Sequence, residues 1–88
     1  MPEESLTQEE IRSSITAAFD SVNLINGIVN GTQMNNESTQ EKKDCIDRNV
    51  SHLDLMITKT WFSDGLVDDE ADNIAAAITA GNSFIASN

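Results

Sequence analysis

Basic residues are scarce in this sequence. Five Lys and Arg stand against fifteen Asp and Glu, a formal net charge of −10. A field of that sign repels phosphate backbones and anionic membrane surfaces, so direct nucleic-acid binding and adhesion to lipid are disfavoured. Basic partners, or protein grooves that normally hold nucleic acid, are attracted instead. Cysteine is nearly absent too: Cys45 is alone, which excludes an internal disulfide and argues against a stapled secreted scaffold. No apolar run reaches 18 residues, and the opening MPEESLTQEE is acidic. Neither a membrane span nor a signal peptide is expected, and the cytoplasm, or a particle assembled there, is the expected location.

What is present suits a helical domain. Hydrophobic residues make up 39 % and charged residues 23 % of the 88, enough for a core that buries roughly 60–65 % of the unfolded surface. The whole of 1–88 reads as one domain, with 1–6 as a flexible tail. Thr7 and Glu10 match a capping box, and apolar residues then fall at Ile11, Ile15, Ala18, Val22, Ile25 and Val29. Steps of three and four residues draw a seam along one helix side, and Asn30-Gly31 ends it. The spacing predicts a helix over 8–29. Residues 30–38, NGTQMNNES, form a polar connector of turn-formers.

Ser38 and Glu41 repeat the capping box, and a second helix is expected over 39–62 with a seam at Ile46, Val50, Leu53, Ile57 and Thr60. After Ser63-Asp64-Gly65, an acidic turn (Asp68, Asp69, Glu70) precedes a third seam of Val67, Ala71, Ile74, Ile78, Gly81 and Ile85. A third helix over 67–86 follows. The expected fold is all-α, an up-down-up three-helix bundle.

Charge is distributed unevenly along these helices. In the second, four acids offset four bases. Residues 63–88 hold five acids and no Lys or Arg, and no charged side chain lies beyond Asp72. Between Arg12 and Glu37 the only charge is Asp20. Solvated helices ordinarily carry Glu and Lys outward. Uncharged faces with small residues such as Ala77 and Gly81 lower the desolvation penalty of contact and let helices approach closely. Leu55 and Phe62, seven residues apart on the side away from the main seam, are flanked by Met56 and Trp61. Either a middle helix needs a wide apolar arc, or Leu55, Trp61 and Phe62 form an exposed anchor cluster. Leu55, Trp61, Phe62, Ala77, Gly81 and Phe84 are therefore the candidate partner-binding residues.

Catalytic chemistry is not evident. The sole His52 neighbours Ser51, and adjacent residues on a helix point apart, so the two form no dyad. Cys45 and His52 lie two turns from each other. One Cys and one His cannot furnish a zinc site, and DGLVDDEAD lacks the spacing of an EF-hand loop. There is no Gly-rich phosphate loop. Three sequons, at Asn30, Asn36 and Asn49, carry no weight in a chain rich in Asn, Ser and Thr. No cofactor, metal or enzymatic activity is expected.

The stretch RNVSHLDLMI, followed by a turn and the Ala/Gly-rich IAAAITAGNSFIA, resembles short uncharacterised proteins of tailed bacteriophages of aquatic bacteria, over the C-terminal half. The resemblance implies a small helical protein, a virion component or a factor acting on a host protein, and transfers no functional residue. With it, the expected function is a non-catalytic protein–protein interaction or assembly module. Its partner is itself or a host or virion protein, in the host cytoplasm or the virion. The alternative is an acidic inhibitor docking on a basic groove of a host nucleic-acid-processing protein.

Overall fold

Thr7 starts the first helix as its spacing to Glu10 requires. The Glu10 amide donates to Thr7 Oγ1 at 3.1 Å, and the Thr7 amide donates to Glu10 Oε1 at 2.9 Å. In a computed structural model, which describes residues 6–88, this cap opens α1, Gln8–Asn30. Of its seam, Ile11, Ile15, Ala18, Val22 and Ile25 are buried. Gly31 ends it at φ 82°, with the Thr32 amide on Gly27 O and the Gly31 amide on Ile28 O. That pairing is the Schellman arrangement, and glycine takes its left-handed backbone without a Cβ penalty.

The connector of residues 31–38 is more ordered than a polar spacer. Met34 adopts φ 57° and packs half-buried on the core, and the Gln33 amide also reaches Gly27 O, at 3.1 Å. Leu6, read as the end of the tail, packs against the same core; residues 1–5 of that tail lie outside the described residues.

The second capping box forms between Ser38 and Glu41 and opens α2, Thr39–Ile57. Here the fold departs from a straight helix over 39–62. The chain breaks at Thr58-Lys59 and resumes as a short α3, Thr60–Gly65, before α4, Glu70–Ser87. The fold is all-α with four helices, three of them long, packed into one compact globule; among the described residues there is no strand.

The break has local causes. Ile57, Thr58 and Thr60 are β-branched, poor residues for a helix interior. The Thr58 hydroxyl donates to Leu55 O at 2.6 Å, the Lys59 amide to Met56 O, and the Ser63 hydroxyl to Ile57 O at 2.8 Å. The last carbonyls of α2 are thus satisfied by the turn that leaves it. Lys59 is extended, at φ −88° and ψ 121°. The larger gain is Phe62, which turns inward and becomes fully buried, worth about 1.5–3 kcal/mol in apolar surface removed from water. Thr60, expected on the seam, is instead exposed.

Each long helix touches the other two. Gly81 of α4 lies in the corner between α1 and α2: a Cβ there would come within 2.9 Å of both Ile46 Cγ2 and Val50 Cγ2, and 3.2 Å of Ile25 Cγ2. Arg12 meets Glu70 at the other end, so α1 and α4 run in the same direction, with α2 opposed to both. The short α3 packs on α1 and α2. It closes the seam between those two helices and leaves part of the α2–α4 seam open.

Candidate functional site

That opening is an apolar groove of about 460 Å³. Its floor is Ile74, which is almost wholly buried. Ile57 forms the end of the α2 wall, Ala71, Ala75 and Ile78 form the α4 wall, and Leu66 closes one end; Asp54, Ser63 and Thr79 line it as well. The α4 residues repeat at three and four, so they share one helix side over about 12 Å. The groove exists because α2 stops while α4 continues. Ile57 lies on the same side of α2 as Val50 and Leu53 but is 41 % exposed, since the segment after it veers toward α1.

One end of the groove is acidic. Asp68 and Asp69 stand between Leu66 and Ala71, Asp72 is next to Ala71 and one turn from Ala75, and Asp54 lines the α2 wall. All four are exposed, and the only ion pair among the described residues is Arg12–Glu70. Asp68 holds a left-handed backbone at φ 53°, and the Asp69 side chain caps no amide of α4. Beyond Asp72 the exposed side of α4 consists of Ala, Thr, Asn and Ser.

Glu70 is set apart from these acids. Its two oxygens accept from Arg12 Nη1 at 3.0 Å and Nη2 at 2.8 Å, and Oε1 also accepts from the Val67 amide at 2.9 Å. Arg12 Nη1 reaches Gly65 O at 3.2 Å. The Arg12 fork and the Val67 amide hold the Glu70 carboxyl well below the usual carboxylate range, at about 2. This cluster ties the start of α1, the end of α3 and the start of α4 together, and so fixes the acidic end of the groove. The Glu10 and Glu41 carboxyls are also lowered, chiefly by the cap amides of Thr7 and Ser38.

The six residues read as partner-binding do not form one exposed surface. Phe62 and Ala77 are fully buried and Gly81 is buried, all three in packing within the chain. Trp61 is half-buried, edge-on to Phe62 at 6.2 Å between ring centroids, and its indole N–H is shut away from solvent with no acceptor among the described residues. Phe84 packs part-buried on the core. Leu55 alone stands out, 57 % exposed, and two residues of helical rotation turn it away from Ile57 and the groove. The exposed trio of Leu55, Trp61 and Phe62 is corrected by the break at residues 58–59, which carries both aromatics onto α3. Reading residues 39–62 as one helix concealed the groove. Its signal is present in the third seam, where Ala71, Ile74 and Ile78 extend past any partner that a shortened second helix offers.

No other group converges on the groove. Ser51 and His52 are exposed on α2, while Cys45 is buried, with Asn49 donating to its carbonyl at 2.8 Å. Among the described residues no set of three His, Cys, Asp or Glu side chains is arranged to hold a metal ion, and no helix is long and apolar enough to cross a membrane. No family model matches the sequence, and no curated protein or solved structure is similar to it.

Proposed function

We propose that this chain is a non-catalytic protein–protein interaction or assembly module that works from the α2–α4 groove and the uncharged side of α4 beside it. The observation that carries the reading is the groove itself: Ile57 of α2 and Leu66 facing an aliphatic wall on α4, open to water, continued by a surface of α4 without a charge after Asp72. Such a surface has little desolvation penalty to overcome on contact, and charge depletion marks the cores of interfaces. On the resemblance of the C-terminal half to small phage proteins, we place this role in a virion or in the host cytoplasm. The partner is a protein, either a second copy or a host or virion component, and no cofactor is required.

The test is molar mass in solution by light scattering, at two concentrations and two salt levels, for the native chain and Ala75→Glu. A salt-independent dimer that Ala75→Glu dissociates makes the partner a second copy. A monomer puts the partner elsewhere, and a photo-reactive side chain at position 75 should then cross-link to it inside the producing cell. A monomer that yields no adduct from position 75 overturns the reading.

The net charge of −10 favours a second reading, an acidic inhibitor seated on a basic groove of a host nucleic-acid-processing protein. The four unpaired aspartates would provide its contact. Its binding should weaken steeply with added salt, and salt-independent binding would sink it.

A further inference from the structure

Resting on the groove reading, we infer that its occupant is an amphipathic helix of another protein, lying antiparallel to α4 with Lys or Arg in its last turn against Asp68, Asp69 and Asp72. The walls ask for a helix: Ala71, Ile74, Ala75 and Ile78 form a stripe about 10 Å long, the length that anchors at i, i+3, i+4 and i+7 cover. The charges ask for a direction. Three carboxylates without basic partners, Asp68, Asp69 and Asp72, belong to the turn before α4 and its first residues, at one end of the groove, while toward the other end only Asp54 of α2 carries a charge. Basic residues in the final turn of a helix complement its own dipole, so such a helix presents its positive end to these acids when it runs opposite to α4.

A second copy does not meet this description. Four of the five basic residues, Lys42, Lys43, Arg48 and Lys59, lie on α2 or in the turn after it, and the fifth, Arg12, is engaged by Glu70. The exposed large apolar side chains on α2 are Leu55 and Ile57, and Ile57 belongs to the wall of the groove itself, which leaves Leu55 alone as an anchor. Two copies would also each bring a charge of −10 to the contact.

The experiment titrates the full ¹⁵N-labelled chain with three synthetic peptides, read by amide shifts. The first carries Leu at i, i+3, i+4 and i+7 with Lys and Arg in its last turn. In the second, Glu replaces those bases. In the third, Ser replaces the leucines and the bases stay. The first should bind and shift residues 57, 66, 71, 75 and 78. Its affinity should fall about tenfold in the double variant Asp69→Asn/Asp72→Asn, and binding should vanish in Ala75→Glu. A spin label on the last turn of the first peptide should broaden residues near Asp69 rather than Thr79.

Equal binding of the first two peptides, or broadening at Thr79, overturns the direction and chemistry inferred here and leaves a helix-docking groove standing. Binding of the third as well as the first, unaffected by Ala75→Glu, shows diffuse charge attraction and overturns both. Failure of all three overturns the inference; the groove reading then stands if light scattering finds a dimer that Ala75→Glu breaks, or if position 75 of a monomer cross-links to a partner, and falls if neither is seen.

Discussion

The contact between α2 and α4 has two halves built from similar residues, and they behave differently. Around Gly81 the helices approach so closely that Ile46, Val50 and Ile25 fill the space a side chain would need. Around Ile57 and Ile78, also aliphatic, the same pair of helices leaves a groove of about 460 Å³. Apolar composition does not decide which half closes. The decision comes from what lies opposite: α1 backs the Gly81 half along its length, whereas at the other half α3 has swung across to α1 and α2. A seam is a core only where a third element covers it.

The largest test of this contrast is Phe62→Ala. Phe62 is the fully buried residue that holds α3 in place, and its truncation should destabilise the fold by about 3–5 kcal/mol, a large part of a total of roughly 5–13 kcal/mol for a chain of this length. Urea unfolding reads it, and a loss under about 1 kcal/mol would mean that α3 does not shape the groove.

Next comes Gly81→Ala, which overpacks the closed half and should lose about 1–3 kcal/mol. Ala75→Ser, on the open half, should change stability by less than about 0.5 kcal/mol. Equal effects at the two positions would remove the distinction between the halves. Ser63→Ala follows, removing the hydroxyl that caps Ile57 O at the break; a loss of about 0.5–1.5 kcal/mol is expected by thermal denaturation.

The smallest effect concerns Glu70 and is read through pH. Its folded carboxyl titrates at about 2 against an ordinary 4.5. A depressed carboxylate stabilises the fold above its unfolded value, and that contribution disappears as pH falls toward its folded value. The difference in melting temperature between the native chain and Glu70→Gln should therefore be full at pH 7, shrink below about 4.5 and approach zero near 2. Comparing the two proteins cancels the general relief of repulsion as the other carboxyls neutralise. A difference unchanged down to pH 2 would show that Arg12 acts by packing and not through charge.

Much of this architecture is legible in local chemistry. Both capping boxes, the αL glycine after α1 and the seams of α1 and α4 rest on contacts within a few residues, and spacing alone specifies them. The break after Ile57 is different. Helical spacing carries through Leu53, Ile57 and Thr60 without interruption, and neither Pro nor Gly marks the stop. What ends the helix is a tertiary gain, the burial of Phe62 on α1, aided by hydroxyls at Thr58 and Ser63 that are equally at home on a helix surface. The groove inherits that obscurity, because it exists only once the second helix is shorter than its own pattern. Ala77 and Gly81 were legible as close-approach residues, while the identity of the surface they approach, inside the chain, depended on the fold as a whole.

Lys59, the extended residue in the break between α2 and α3, is also the last basic residue of the chain. Trypsin acting there would divide the molecule at its own structural joint, and residues 60–88 offer the enzyme no second site. The product would be one piece, residues 60–88, carrying the sole tryptophan and the whole of α4. Amine-directed labels and cross-linkers would likewise find no lysine on that piece, so the wall of the groove that α4 supplies is silent to lysine chemistry and must be mapped through its carboxylates.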